Sequence, residues 1–106
     1  MKLNILTCAA MALLIASGTA ASAAEVVITQ KGKKFDQKKV TISKGDTIKF
    51  VNADAMTHNI HSRGAGKFDL GAQKPGTTMA HVFAADGTFK IRCAIHPKMK
   101  LKVKVK

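Results

Sequence analysis

The clearest pattern in the chain is at its C-terminal end, where Leu101, Val103 and Val105 alternate with Lys100, Lys102, Lys104 and Lys106. A period of two puts the three apolar side chains on one face of an extended strand and leaves the lysines in water. Gly87-Thr88-Phe89-Lys90-Ile91-Arg92-Cys93 has the same rhythm, with Phe89, Ile91 and Cys93 pointing inward. Shorter apolar runs predict further strands at Val26–Thr29, Val40–Ser43, Thr47–Asn52 and Thr77–Phe83. Ser43-Lys44-Gly45-Asp46 and Ala85-Asp86-Gly87 read as turns between them, at about the 8–12-residue spacing of an all-β domain. Ala53 to Pro75 carries the weakest pattern and reads as loops or short strands, where a site has room to form.

At 106 residues the chain makes one domain at most. Its apolar run, Leu3 to Ala16, follows Lys2 and leads into Ser17-Gly18-Thr19-Ala20-Ala21-Ser22-Ala23-Ala24. A positive start, a short apolar core and a small-residue end predict a secretory signal peptide over residues 1–24, cut after Ala23 or Ala24, rather than a retained anchor. The working domain is then 25–106, and Cys8 leaves with the leader. Cys93 becomes a solitary thiol in an oxidising compartment, which is a liability unless something occupies it.

The formal net charge is +12 at pH 7, of which the leader takes only Lys2. Such an excess calls for an acidic partner. Nucleic acid is not expected, because export removes the protein from it and the lysines are spread over strands instead of gathered on a reading helix. Stable membrane insertion is not expected either, and nothing in the pattern asks for more than a monomer.

Cys93-Ala94-Ile95-His96-Pro97-Lys98-Met99 places a thiol, an imidazole and a thioether, all soft or borderline metal donors, at C-x2-H-x2-M spacing. On a straight strand Cys93 and His96 would face opposite ways, so the segment has to fold as a loop round one point, and Pro97 disfavours helix at His96. A fourth donor comes from elsewhere; Met56-Thr57-His58-Asn59-Ile60-His61 offers two histidines, and His58 is preferred. His61 reads as an exposed loop residue, His81 (in phase with Met79 and Phe83) as structural, and Met56 as packing. Two His, one Cys and a weak axial Met make the donor set of a blue-copper electron-transfer site. A zinc-stabilised binding module is the rival from another class, although Met is a poor zinc ligand.

With Cys93 to Met99, Thr57-His58-Asn59, Val40 to Asn52, Lys74-Pro75-Gly76-Thr77 and Asp86-Gly87-Thr88-Phe89, the chain resembles the cupredoxin family of blue-copper proteins. The His96–Met99 spacing is most similar to the amicyanin type, whereas the plastocyanin and pseudoazurin types carry a longer loop. The resemblance implies a Greek-key β-sandwich of about seven to eight strands, with His58, Cys93, His96 and Met99 on one type 1 copper ion cycling between Cu(II) and Cu(I). It further implies that Asn59 ties the two ligand loops together, its backbone amide bonding the Cys93 sulfur. Lys100-Leu101-Lys102 departs from the glycine many relatives place after the methionine. The expected role is a periplasmic electron carrier without catalysis of its own, exchanging electrons with acidic redox proteins such as a cytochrome c, a dehydrogenase or a reductase. Copper binding for delivery, on the same fold, is the alternative.

Overall fold

Val, Ile, Thr and Phe at alternating positions favour extended backbone, because branched and aromatic side chains pack well on a pleated surface. In the computed structural model, which describes residues 23–64 and 66–106, these segments become strands. They are β1 (Glu25–Gln30), β2 (Lys39–Ile42), β3 (Thr47–Asn52), β4 (His58–Gly64), β5 (Phe68–Gln73), β6 (Thr78–Val82), β7 (Gly87–Arg92) and β8 (Lys100–Val105). The three-stranded sheet runs β1-β3-β6 and the five-stranded sheet β2-β8-β7-β4-β5. This is the all-β, two-sheet Greek-key sandwich that the sequence leads one to expect. β1 pairs with β3, and β2 with β8, in parallel; the other pairings are antiparallel. The leader expected over residues 1–24 lies outside the described residues except for Ala23 and Ala24.

Ser43 to Asp46 is a turn, with Gly45 at φ 94° and the Asp46 amide donating to the Ser43 carbonyl at 3.0 Å. The strands it joins do not pair, since the turn carries the chain from one sheet to the other. The Asp46 carboxylate accepts the amides of Ala24 and Ser43, both at 2.9 Å, and these bonds hold its carboxyl below the ordinary carboxylate range. The weakly patterned Ala53–Pro75 segment supplies two strands, β4 and β5. Their alternation is hard to read because β4 turns Ile60 and Ser62 inward and its register against β5 shifts between Asn59 and His61.

Phe50, Phe83, Phe89, Ile28, Ile48, Ile60, Ile91 and Leu101 fill the space between the sheets. Each such side chain stabilises the fold by about 1.5–3 kcal/mol on burial. Three polar side chains, Gln30, Asn52 and Gln73, are buried among them at 0% exposure, a cost that only hydrogen bonds offset. Gln30 Nε2 donates to Gln73 Oε1 at 2.8 Å, and Gln73 Nε2 donates to the carbonyls of Phe50 (2.7 Å) and Thr77 (2.9 Å). Asn52 Nδ2 donates to the carbonyls of Met56 and Gln73, both at 2.9 Å, while its Oδ1 accepts the Asp54 amide at 2.9 Å. The network pins the β3–β4 loop, and with it the approach to His58.

His81 is structural, as its phase with Phe83 predicts: its ring stacks on Phe68 with centroids 3.7 Å apart and meets Phe83 edge-on at 4.8 Å. Burial pushes its pKa down, so the folded state disfavours the charged ring. Stability is then intact above the ordinary imidazole range near 6.5 and falls as pH drops from there toward the depressed value. His81→Phe, which keeps a ring against Phe68, should flatten the fall in thermal midpoint of the metal-free protein between about pH 7 and pH 5. An unchanged pH profile in that variant would show that His81 does not carry it.

Candidate metal centre

Cys93 follows the last residue of β7 and continues the inward face of Phe89 and Ile91, so its thiol is fully buried. The chain then bends through Ala94–His96 and turns at Pro97-Lys98. The Met99 amide donates to the His96 carbonyl at 2.9 Å, and the Cys93 amide to the Met99 carbonyl at 3.3 Å. The loop therefore closes on itself where Arg92 of β7 pairs with Lys100 of β8. Closure brings His96 back over Cys93, which no straight strand does.

His58, the first residue of β4, meets this loop from the neighbouring strand. Cys93 Sγ lies 3.8 Å from His58 Nδ1 and 3.6 Å from His96 Nδ1, and the two nitrogens are 3.2 Å apart. His58 and Cys93 are buried, and His96 is half-buried. The Asn59 amide donates to Cys93 Sγ at 3.2 Å, the contact expected of it. Its side-chain Nδ2 donates to Asp69 Oδ1 on β5 at 3.0 Å. The amide thus reaches toward the Cys93 loop, while the side chain ties the same strand to β5 on its other side.

Sequence reasoning missed Asp54, which stands four residues before His58. Its Oδ2 lies 2.6 Å from His58 Nε2, and the carboxylate also accepts the amides of Gly32 (2.6 Å) and Lys33 (3.0 Å). Gly32 and Lys33 both have positive φ, 64° and 58°, and so aim successive N–H groups at one anion. Burial raises the Asp54 carboxyl, but the hydrogen bonds from His58, Lys33 and Gly32 outweigh it and hold the group below the usual range. An ionised carboxylate only accepts, so the His58 proton sits on Nε2 and the Nδ1 lone pair faces Cys93 Sγ. A carboxylate behind an imidazole is a recurring support for a metal ligand.

A family model for copper-binding proteins of the plastocyanin/azurin family matches residues 22–106. The chain belongs to that family. It is 32% identical over 76 residues to amicyanin-alpha of Methylorubrum extorquens, covering 68% of this chain and 64% of that one. Against amicyanin of Paracoccus denitrificans it is 30% identical over 84 residues, covering 76% of this chain and 64% of the relative. The chain thus spans slightly less than two thirds of the length of these relatives. Among solved structures, an amicyanin variant in its reduced Cu(I) form at pH 4 superposes with a TM-score of 0.71 at 26% identity, over 76% of this chain and 81% of that one. A copper-containing nitrite reductase from Thermus scotoductus superposes at 0.70 and 26% identity over 76% of this chain, but only 22% of its own.

For this cupredoxin, the donor spacing can be compared with what a trigonal ion requires. Metal–nitrogen and metal–sulfur bonds of about 2.0 and 2.3 Å at 120° put the nitrogens about 3.5 Å apart and each about 3.7 Å from sulfur. The distances of 3.2, 3.6 and 3.8 Å come close to that triangle, and the donor atoms all lie within 4.8 Å of one another. The residues fit copper, the family's metal. Met99, 1% exposed, is fixed in the same loop by its backbone bonds to Cys93 and His96. The structure does not bring His61 to the cluster. It also corrects the loop reading of that residue: His61 is a half-buried strand residue, in register with Asp69 and Arg92, with its Nε2 buried and unpartnered.

Proposed function

We propose that His58, Cys93, His96 and Met99 hold one type 1 copper ion and that the protein carries single electrons, without catalysis of its own. The observation that carries this reading is the convergence of two imidazole Nδ1 atoms and one sulfur at trigonal spacing. Copper held there supplies a one-electron couple whose Cu(I) state suits thiolate and thioether and whose Cu(II) state suits imidazole. The task of the protein groups is to stay still. Asp54 fixes the His58 ring, the Asn59 amide fixes Cys93 Sγ, and Met99 is tied to both ends of its loop. Donors held this firmly need little rearrangement when the oxidation state changes.

His96 is the least buried member of the trio, and it opens into a cleft of about 520 Å³ with Ile95, Pro97 and Met99. Ile95 is 54% exposed, giving the mouth an apolar lip against which a partner can press. Lys33, Lys34 and Lys98 flank it, which suits acidic redox proteins such as a cytochrome c, a dehydrogenase or a reductase. A periplasmic location rests on the leader. Of the two expected cleavage sites, the one after Ala23 would make Ala24 the amino terminus, with its nitrogen 2.9 Å from the Asp46 carboxylate. Among the described residues no helix is long and apolar enough to cross a membrane. Copper delivery would call for His61 and Met56 as accessory donors, and the place of His61 on the far side of the Asn59 register shift argues against that.

Voltammetry and the self-exchange rate of the copper-loaded protein test this reading. A fast, reversible couple is expected, and a sluggish, irreversible one would favour delivery. Met99→Leu should retain copper and raise the potential by about 60 mV or more, a tenfold shift in a one-electron equilibrium, because losing a donor leaves the doubly charged Cu(II) less compensated than Cu(I), a charge effect that outweighs the softness of the thioether.

A further inference from the structure

The outer face of the five-stranded sheet carries a row of like charges. Lys39 of β2 stands opposite Lys102 of β8, Lys102 opposite Lys90 of β7, and Lys90 opposite Arg63 of β4. Directly opposed residues share a face, so four exposed cations lie abreast across four adjacent strands. At about 4.8 Å per strand the row is roughly 14 Å long. One step along, Lys100 faces Arg92. Opposed like charges destabilise a sheet, and the chain does little to relieve them. Among the described residues the ion pairs are Lys49–Glu25 and His58–Asp54, away from this face. Asp36, Asp46 and Asp69 are taken up by backbone amides.

A groove of about 510 Å³ runs over this face, lined by Lys90, Arg92, Lys100 and Lys102 and ending at Lys98. Lys98 also lines the cleft at His96. The strand that bears Lys90 and Arg92 leads straight into Cys93. We propose that this basic face is the docking surface for an acidic redox protein whose carboxylates span the row while its redox edge meets the His96 cleft. The proposal rests on the electron-carrier reading and gives the partner a shape: an acidic patch of roughly 14 Å beside its redox centre. The row is longer than the Debye length of about 8 Å at physiological salt, so distant charge is screened and the patch has to lie on the row to neutralise it. Exposed lysines keep their hydration and give speed of encounter more than strength, so the complex is short-lived and salt-sensitive. An anionic lipid surface would also answer the charge, but the groove's continuity with the cleft at His96 favours a redox protein.

The test compares two double variants of equal charge change in the copper-loaded protein. Lys90→Glu/Lys102→Glu strikes the row. Lys44→Glu/Lys106→Glu strikes the opposite end of the sandwich, where the Lys44 amide bonds the Lys106 carbonyl. Electron exchange with an anionic c-type cytochrome is followed by stopped flow at low and high salt, and amide shifts of the reduced protein are mapped on titration with the same reduced cytochrome. The row variant should lose tenfold or more of the low-salt rate and most of its salt dependence, while the far-end variant changes less than about twofold. Shifts should fall on β7, β8 and the His96 loop. Equal losses in both variants, or shifts mapping elsewhere, overturn the proposal. So does a row variant that keeps its rate but no longer sediments with phosphatidylglycerol vesicles, which assigns the face to lipid. Shifts on β7 and β8 without measurable electron exchange keep the docking face and remove the carrier reading instead.

Discussion

Cys93→Ser should bleach the copper-loaded protein. The intense blue of a type 1 site comes from charge transfer between thiolate sulfur and copper, and a hydroxyl oxygen offers neither a soft donor nor that transition. Cys93 is the free cysteine among the described residues, and its sulfur is the point on which both imidazoles and the Asn59 amide converge. Less than about a tenth of the visible band should remain, and the narrow copper hyperfine splitting should widen. Circular dichroism should stay close to wild type, because serine is nearly isosteric and the surrounding strands are held by their own core. A wild-type Cu(II) complex without colour, or a mutant spectrum identical to wild type, would remove the copper assignment, and a silent but tightly bound ion would point to zinc.

His58→Ala should have the next largest effect, and the comparison with two neighbours gives it meaning. Removing the imbedded imidazole takes away one donor and strands the Asp54 carboxylate beside a small apolar void, so the blue band should collapse or convert. Asp54→Ala leaves every donor atom in place but frees the His58 ring to turn and to move its proton. Supporting partners of this kind are worth about 10–100-fold in metal affinity, so copper competition should show a loss in that range with the band retained. His61→Ala should leave both affinity and colour unchanged, because its ring belongs to the Asp69–Arg92 register and not to the cluster. If His61→Ala instead behaves like His58→Ala, the choice between the two histidines is wrong.

What could be read from sequence was whatever repeats over a few residues. The strict alternations at Gly87–Arg92 and Lys100–Val105 give their strands away because a period of two needs no partner to be recognised. The Cys93–Met99 segment is legible for a similar reason: three donors within one closed loop can converge whatever the rest of the chain does. Turns with a required glycine, such as Gly45 at φ 94°, are equally local. His58 is preferred over His61 although no spacing separates the two, and it is the tertiary structure that sets His58 Nδ1 against Cys93 Sγ. The remainder depends on register between segments far apart in the chain. Whether β4 is a strand at all is decided by its place between β5 and β7, because its own alternation is blurred by a register shift. Asp54 looks like any loop acid until the Gly32-Lys33 turn and the Asn52–Gln73 network bring it under His58. Lys39, Lys102, Lys90 and Arg63 read singly as wet faces of separate strands; only pairing aligns them into one row. Side-chain period is a property of a single strand, whereas register is set by which buried faces fit together, and that is settled only when both sheets close over a common core.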